Sequence, residues 1–126
     1  MQNTKIDNGV PTLTLFGIKN CDTVRKARRW CEENNTGATF HDFRKDGLTQ
    51  EKVDAWLSKA DWQVLLNKRG TTWRKLPDDV REATTNTNVA ALLVEHPALI
   101  KRPVLELGDT IEIGFKAERY AELFGA

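Results

Sequence analysis

The chain has 126 residues, of which 40% are hydrophobic and 29% charged, a balance that suits one folded domain with its own core. Its 19 basic residues meet 18 acidic ones, so bulk charge does not mark a binder of nucleic acid or another polyanion. No apolar run reaches the length of a membrane span and the start shows no charged-then-apolar leader pattern, so no membrane partner is expected and a cytoplasmic location is.

Residues 1–11 are polar around Gly9 and read as a flexible N-terminal tail, leaving 12–126 as the folded domain. Thr12–Phe16 alternates, with Leu13 and Leu15 on one face, and predicts a strand. A turn over Gly17–Asn20 leads into a helix from Asp22 to about Asn34, with Val24, Ala27, Trp30 and Cys31 at helical spacing and Asn35 and Gly37 ending it. Thr39–Phe43 is a second strand candidate. Thr49 then reads as the N-cap of a helix that carries Val53, Trp56, Leu57 and Ala60. Trp62–Leu66 is a short apolar stretch, and Asn67–Lys75 reads as a basic loop. Asn88 is placed to cap a helix holding Val89, Leu92 and Leu93, which must stop before Pro97 because a residue preceding proline is steered out of helical geometry. Pro103–Leu107 and Thr110–Ile113 are strands joined by the hairpin signal Gly108-Asp109, and an amphipathic helix with Ala117, Tyr120, Ala121 and Phe124 closes the chain. The order implies an α/β fold with a mixed four-stranded sheet and a helical insert over about 48–97.

Two cysteines in a cytoplasmic chain are expected to be free thiols. Cys21 stands where a strand ends and a helix begins, so the unpaired N–H groups and positive dipole end of the helix favour a thiolate there. Lys19 and Arg25 add positive charge, while Asp22 opposes them. Thiols in such settings ionise at roughly pH 3.5 to 7.5. The bland reading is a cysteine that packs beneath the turn. Cys31 lies about 15 Å further along the helix at ~1.5 Å per residue, too far for a disulfide with Cys21, and its spacing with Val24 and Ala27 places it in the core. Val24 stands where a Cys-x-x-Cys pair would need its second thiol, so an adduct on Cys21 must be resolved by an outside thiol such as glutathione.

His41 and His96 are far apart and argue against a metal site, with His41 read as an ordinary strand residue. Thr71, Thr72 and Trp73 lie among Lys68, Arg69, Arg74 and Lys75. That stretch is either a solvated loop anchored by its tryptophan or a holder of an anionic peptide or oxyanion. Arg102 before Pro103 is either aimed at a site by a rigid X-Pro turn or paired with one of the later glutamates.

The stretches from Thr14 to Thr23, Leu65 to Leu76 and Ile100 to Pro103 resemble the arsenate reductase and Spx family, above all its YffB-like branch. The resemblance implies a thioredoxin-like fold with an inserted helical subdomain. It also implies that Cys21 is the catalytic cysteine, that Arg102 stabilises an oxyanion and that Pro103 follows a cis bond. The resemblance also implies that arsenate reductases carry an arginine where this chain has Asn67 and another near Gly114, with Arg69 close enough to substitute for a missing one. The expected site is then Cys21 and Arg102 as catalytic residues, Lys19, Asn20, Thr23, Arg69, Thr71, Trp73 and Pro103 as substrate or glutathione contacts, and no metal. The expected activity is glutathione-dependent thiol reduction, with glutathione as co-substrate and no bound cofactor. The alternatives are an Spx-like regulator that contacts RNA polymerase and a genuine arsenate reductase. Expected partners are glutathione or a glutathionylated substrate, with a glutaredoxin as a further candidate, and the chain is expected to be a monomer.

Overall fold

The computed structural model describes residues 6–7, 10–11 and 13–125. Most of the expected N-terminal tail lies outside them. Within it, Ile6–Asp7 (β1) pairs antiparallel with Val10–Pro11 (β2). The chain divides into two compact units, Met1–Asp46 with Arg102–Ala126, and Gly47–Lys101.

In the first unit, β3 (Leu13–Gly17), β4 (Thr39–Asp42), β5 (Val104–Leu107) and β6 (Thr110–Ile113) form one sheet in the order β4-β3-β5-β6. β3 runs parallel to β4, with Leu15 opposite Phe40, and antiparallel to β5, with Phe16 opposite Val104. The parallel pair needs a crossover, which α1 (Asp22–Glu33) supplies. Its apolar residues Val24, Ala27 and Cys31 are all buried. The helix ends as Asn35 and Gly37 foretell. Asn35 adopts a left-handed backbone (φ 53°), and the Thr36 and Asn35 N–H groups donate to Cys31 O and Glu32 O at 3.1 Å, which satisfies carbonyls left open by the helix end.

β4 stops one residue earlier than expected. The Asp42 carboxylate accepts from Arg44 N–H at 2.8 Å, while Asp46 accepts from Asp42 N–H at 3.0 Å. This local exchange winds Phe43–Asp46 (α2) into a helical turn and buries Phe43. Leu15, Leu105, Ala27, Cys31 and Tyr120 form the core of the unit. α8 (Ala117–Phe124) contributes Tyr120, whose ring meets Phe115 and Trp30 edge-on at 4.7 and 5.6 Å between centroids.

The second unit is helical. Thr49 caps α3 (Gln50–Leu57) as its sequence implies, its hydroxyl accepting from Lys52 N–H at 3.2 Å. Val53 and Trp56 on α3 are buried, and α3 packs against α7 (Val89–Glu95), whose Val89, Ala90 and Leu93 are buried in turn. Four details differ from the sequence reading. Trp62–Leu65 (α4) is a helical turn, because Asp61 caps it by accepting from Gln63 N–H at 2.8 Å. The expected basic loop contains a second turn, Thr71–Arg74 (α5), closed by Lys75 N–H on Thr71 O at 3.0 Å. Asp78–Ala83 (α6) is an unforeseen helix with Asp78 and Asp79 in its first turn, where acidic groups suit the helix dipole, and an Asp78–Arg81 ion pair. Asn88 does sit at the start of α7, yet its side chain bonds backward, accepting from Thr85 N–H and donating to Ala83 O. α7 stops at Glu95, ahead of Pro97, and Pro97–Leu99 follows as a single 3-10 turn. No described helix is long and apolar enough to cross a membrane.

Candidate active site

Cys21 is the N-cap residue of α1, with extended backbone (φ −133°, ψ 125°), and its carbonyl accepts from Arg25 N–H at 2.9 Å. Gly17, the last residue of β3, sets how closely α1 begins beneath the strand. A Cβ there would stand 2.8 Å from Val24 Cγ2, and Val24 is fully buried. A side chain at position 17 would force Val24, and with it the first turn of α1, to shift.

The thiol is half-buried at the head of the helix. Burial alone would raise its pKa. Three groups outweigh that cost: the Val24 N–H, the Arg102 guanidinium through both a hydrogen bond and its charge, and the Thr23 N–H. The pKa is lowered, so the site favours a thiolate at lower pH than a free thiol does.

Sequence neighbours are not the source of that charge. Asp22 and Arg25 pair with each other on the exposed surface, and Lys19 and Asn20 are exposed in the turn before Cys21. The acting cation is Arg102, and sheet register brings it there. Because Phe16 lies opposite Val104, the chain leaving β3 passes the chain entering β5. Arg102 is half-buried, with Nε fully buried, and the Arg102–Pro103 bond is cis.

A chain of contacts that the sequence did not suggest fixes the backbone next to Arg102. The Tyr120 hydroxyl donates to Gly114 O at 3.5 Å, and Gly114 N–H donates to Pro103 O at 2.8 Å. Burial pushes the Tyr120 phenol well above its ordinary range, which keeps it a neutral donor. Gly114 takes a left-handed backbone (φ 87°) that an arginine would adopt only under strain.

Cys31 contrasts with Cys21 throughout. It is 5% exposed, and burial raises its pKa despite the nearby Thr36 hydroxyl. His41 packs its ring on Phe16 and Phe43, at 4.9 and 6.5 Å between centroids. Cys21, Thr23, Arg102 and Pro103 thus come together in the sheet unit. Arg69, Thr71 and Trp73 belong to the helical unit, where Arg69 and Thr71 are exposed and Trp73 is half-buried with Lys68 Nζ 5.5 Å from its ring.

The ArsC family model matches residues 16–123. A solved structure described as the YffB protein is 40% identical, covers 88% of this chain and 97% of its own, and superposes with a TM-score of 0.85. The solution structure of an arsenate reductase related protein from Brucella melitensis is 43% identical over 91% of this chain and 96% of its own, with a TM-score of 0.72. The global transcriptional regulator Spx of Streptococcus agalactiae is 28% identical over 108 residues, covering 84% of this chain and 78% of its own. With its thioredoxin-like mixed sheet and helical insert, this chain belongs to the ArsC family.

Proposed function

We propose that this protein is a glutathione-dependent thiol reductase that works through Cys21. The single observation behind the reading is the half-buried thiol at the head of α1, its pKa lowered against burial by two backbone N–H groups and Arg102. In the first step the Cys21 thiolate attacks one sulfur of a glutathionylated substrate. A disulfide forms between Cys21 and glutathione, the substrate sulfur leaves as a thiolate, and that thiolate takes up a proton. In the second step an external glutathione thiolate attacks the glutathione sulfur of the adduct. Oxidised glutathione departs and the Cys21 thiolate is restored. Arg102 stabilises the charge on Cys21 before the first step and after the second. Cys31 cannot resolve the adduct, since it sits in the core ten residues further along the chain.

Turnover of a glutathione mixed disulfide, followed by release of oxidised glutathione, tests the proposal. Activity should vanish in Cys21→Ser and persist in Cys31→Ser. Equal activity in wild type and Cys21→Ser counts against it. The Spx relative supports a second reading, a protein that binds the transcription machinery. Capture of purified RNA polymerase at high salt, with no mixed-disulfide turnover, would favour that reading instead.

A further inference from the structure

The helical unit holds a cleft of about 440 Å3 lined wholly by its own residues. Lys68, Arg69 and Lys101 converge on it, with the amide residues Gln63 and Asn67 and the half-exposed Val64 completing its walls. No carboxylate lines it, and none of the three cations makes an ion pair among the described residues.

The frame is fixed by backbone. Leu66 and Ile100 form an antiparallel bridge, with Asn67 N–H on Leu99 O and Lys101 N–H on Leu65 O, both at 2.7 Å. Asn67 Oδ1 accepts from Arg69 N–H at 3.0 Å and ties the basic segment to that frame. Lys68 Nζ lies 5.7 and 5.5 Å from the rings of Trp62 and Trp73, which bound its range of motion. Three like charges held around one concavity repel each other, and an anion bound between them relieves that cost.

We propose that this cleft binds a small molecule carrying at least two carboxylate or phosphate groups. The volume suits a small ligand, since such sites span roughly 300 to 1,000 Å3. The guanidinium offers a fork for one anionic group, the two ammonium groups neutralise the other, and Val64 covers a short apolar stem. Every residue lining the cleft belongs to the helical unit.

Calorimetric titration and amide chemical shifts test it, with pyrophosphate, citrate and S-methylglutathione as probes at low salt. At least one probe should bind saturably and shift the amides of 63–69 and 101. Affinity should fall by roughly threefold to tenfold in Lys68→Ala and again in Lys101→Ala, and stay unchanged in Lys59→Ala, an exposed lysine outside the cleft. Pyrophosphate alone binding marks a phosphate ligand, and citrate or S-methylglutathione marks a carboxylate one. Absence of saturable binding by all three, shifts confined to residues 21–24, or equal losses in Lys59→Ala would overturn the proposal.

Discussion

Arg102→Ala is the most direct probe of how this fold activates its thiol. The guanidinium supplies both a hydrogen bond and a charge to Cys21, so its removal leaves burial opposed only by the Val24 and Thr23 N–H groups. A charged hydrogen bond is worth about 1.5 to 3 kcal/mol, but both groups are partly exposed, and solvent-screened pairs give only about 0.2 to 1 kcal/mol. A value near ~1 kcal/mol is therefore expected, or about fivefold less thiolate at a pH below the titration midpoint. Alkylation by iodoacetamide across pH 5 to 9, flanking the roughly 8.5 of a free thiol, reads this directly. The wild-type rate should reach half its plateau below the midpoint of free cysteine, and the Arg102→Ala curve should move to higher pH. Arg102→Lys should fall between them, because it keeps the charge and loses the planar fork. Superimposable curves for wild type and Arg102→Ala would refute the assignment of the acting cation.

Cys31→Ser should keep full thiol reactivity at Cys21 and lose about 1 kcal/mol of stability by burying a hydroxyl, measured by urea unfolding. Cys21→Ser should be less stable than wild type at pH 9, and the difference should shrink as pH falls. A group with a depressed folded pKa contributes its stability fully above the unfolded pKa, and that contribution disappears as pH falls through the folded one. Gly17→Ala should cost about 1 to 3 kcal/mol through the clash with buried Val24, and should slow alkylation of Cys21 as α1 is displaced; an unchanged alkylation rate would detach the close packing from thiol activation. Steady-state assays with glutathione supplied should give a kcat/KM at least about tenfold higher for a glutathione mixed disulfide than for arsenate, and a comparable or higher value for arsenate would reverse the substrate assignment.

What the sequence reveals here is local chemistry. The Thr49 cap, the Gly108-Asp109 hairpin, the stop before Pro97 and the strand–turn–helix around Cys21 each depend on a few neighbouring residues, and each is present. α5 and α6 span four and six residues, too few for a hydrophobic period to register, and their capping groups also read as loop residues. Activation of the thiol is where proximity in sequence misleads. Lys19 and Arg25 flank Cys21, yet the cation that acts comes from beyond the entire helical insert, carried by the β3–β5 register. The Tyr120–Gly114–Pro103 chain was illegible for the same reason, since it joins α8, the end of β6 and the start of β5.

That chain also bears on the charge available to the sheet unit. The Gly114 N–H and carbonyl are both engaged, and the left-handed backbone that engages them excludes an arginine without strain. Arg102 is therefore the cation this unit brings to Cys21. One guanidinium and two backbone N–H groups match a single developing negative charge, which is what a sulfur bears as thiol–disulfide exchange begins and ends. A multiply charged oxyanion held against water calls for several converging cations. The unit directs the Arg102 guanidinium at the Cys21 thiolate, and an arginine at position 114 would have to adopt a strained left-handed backbone.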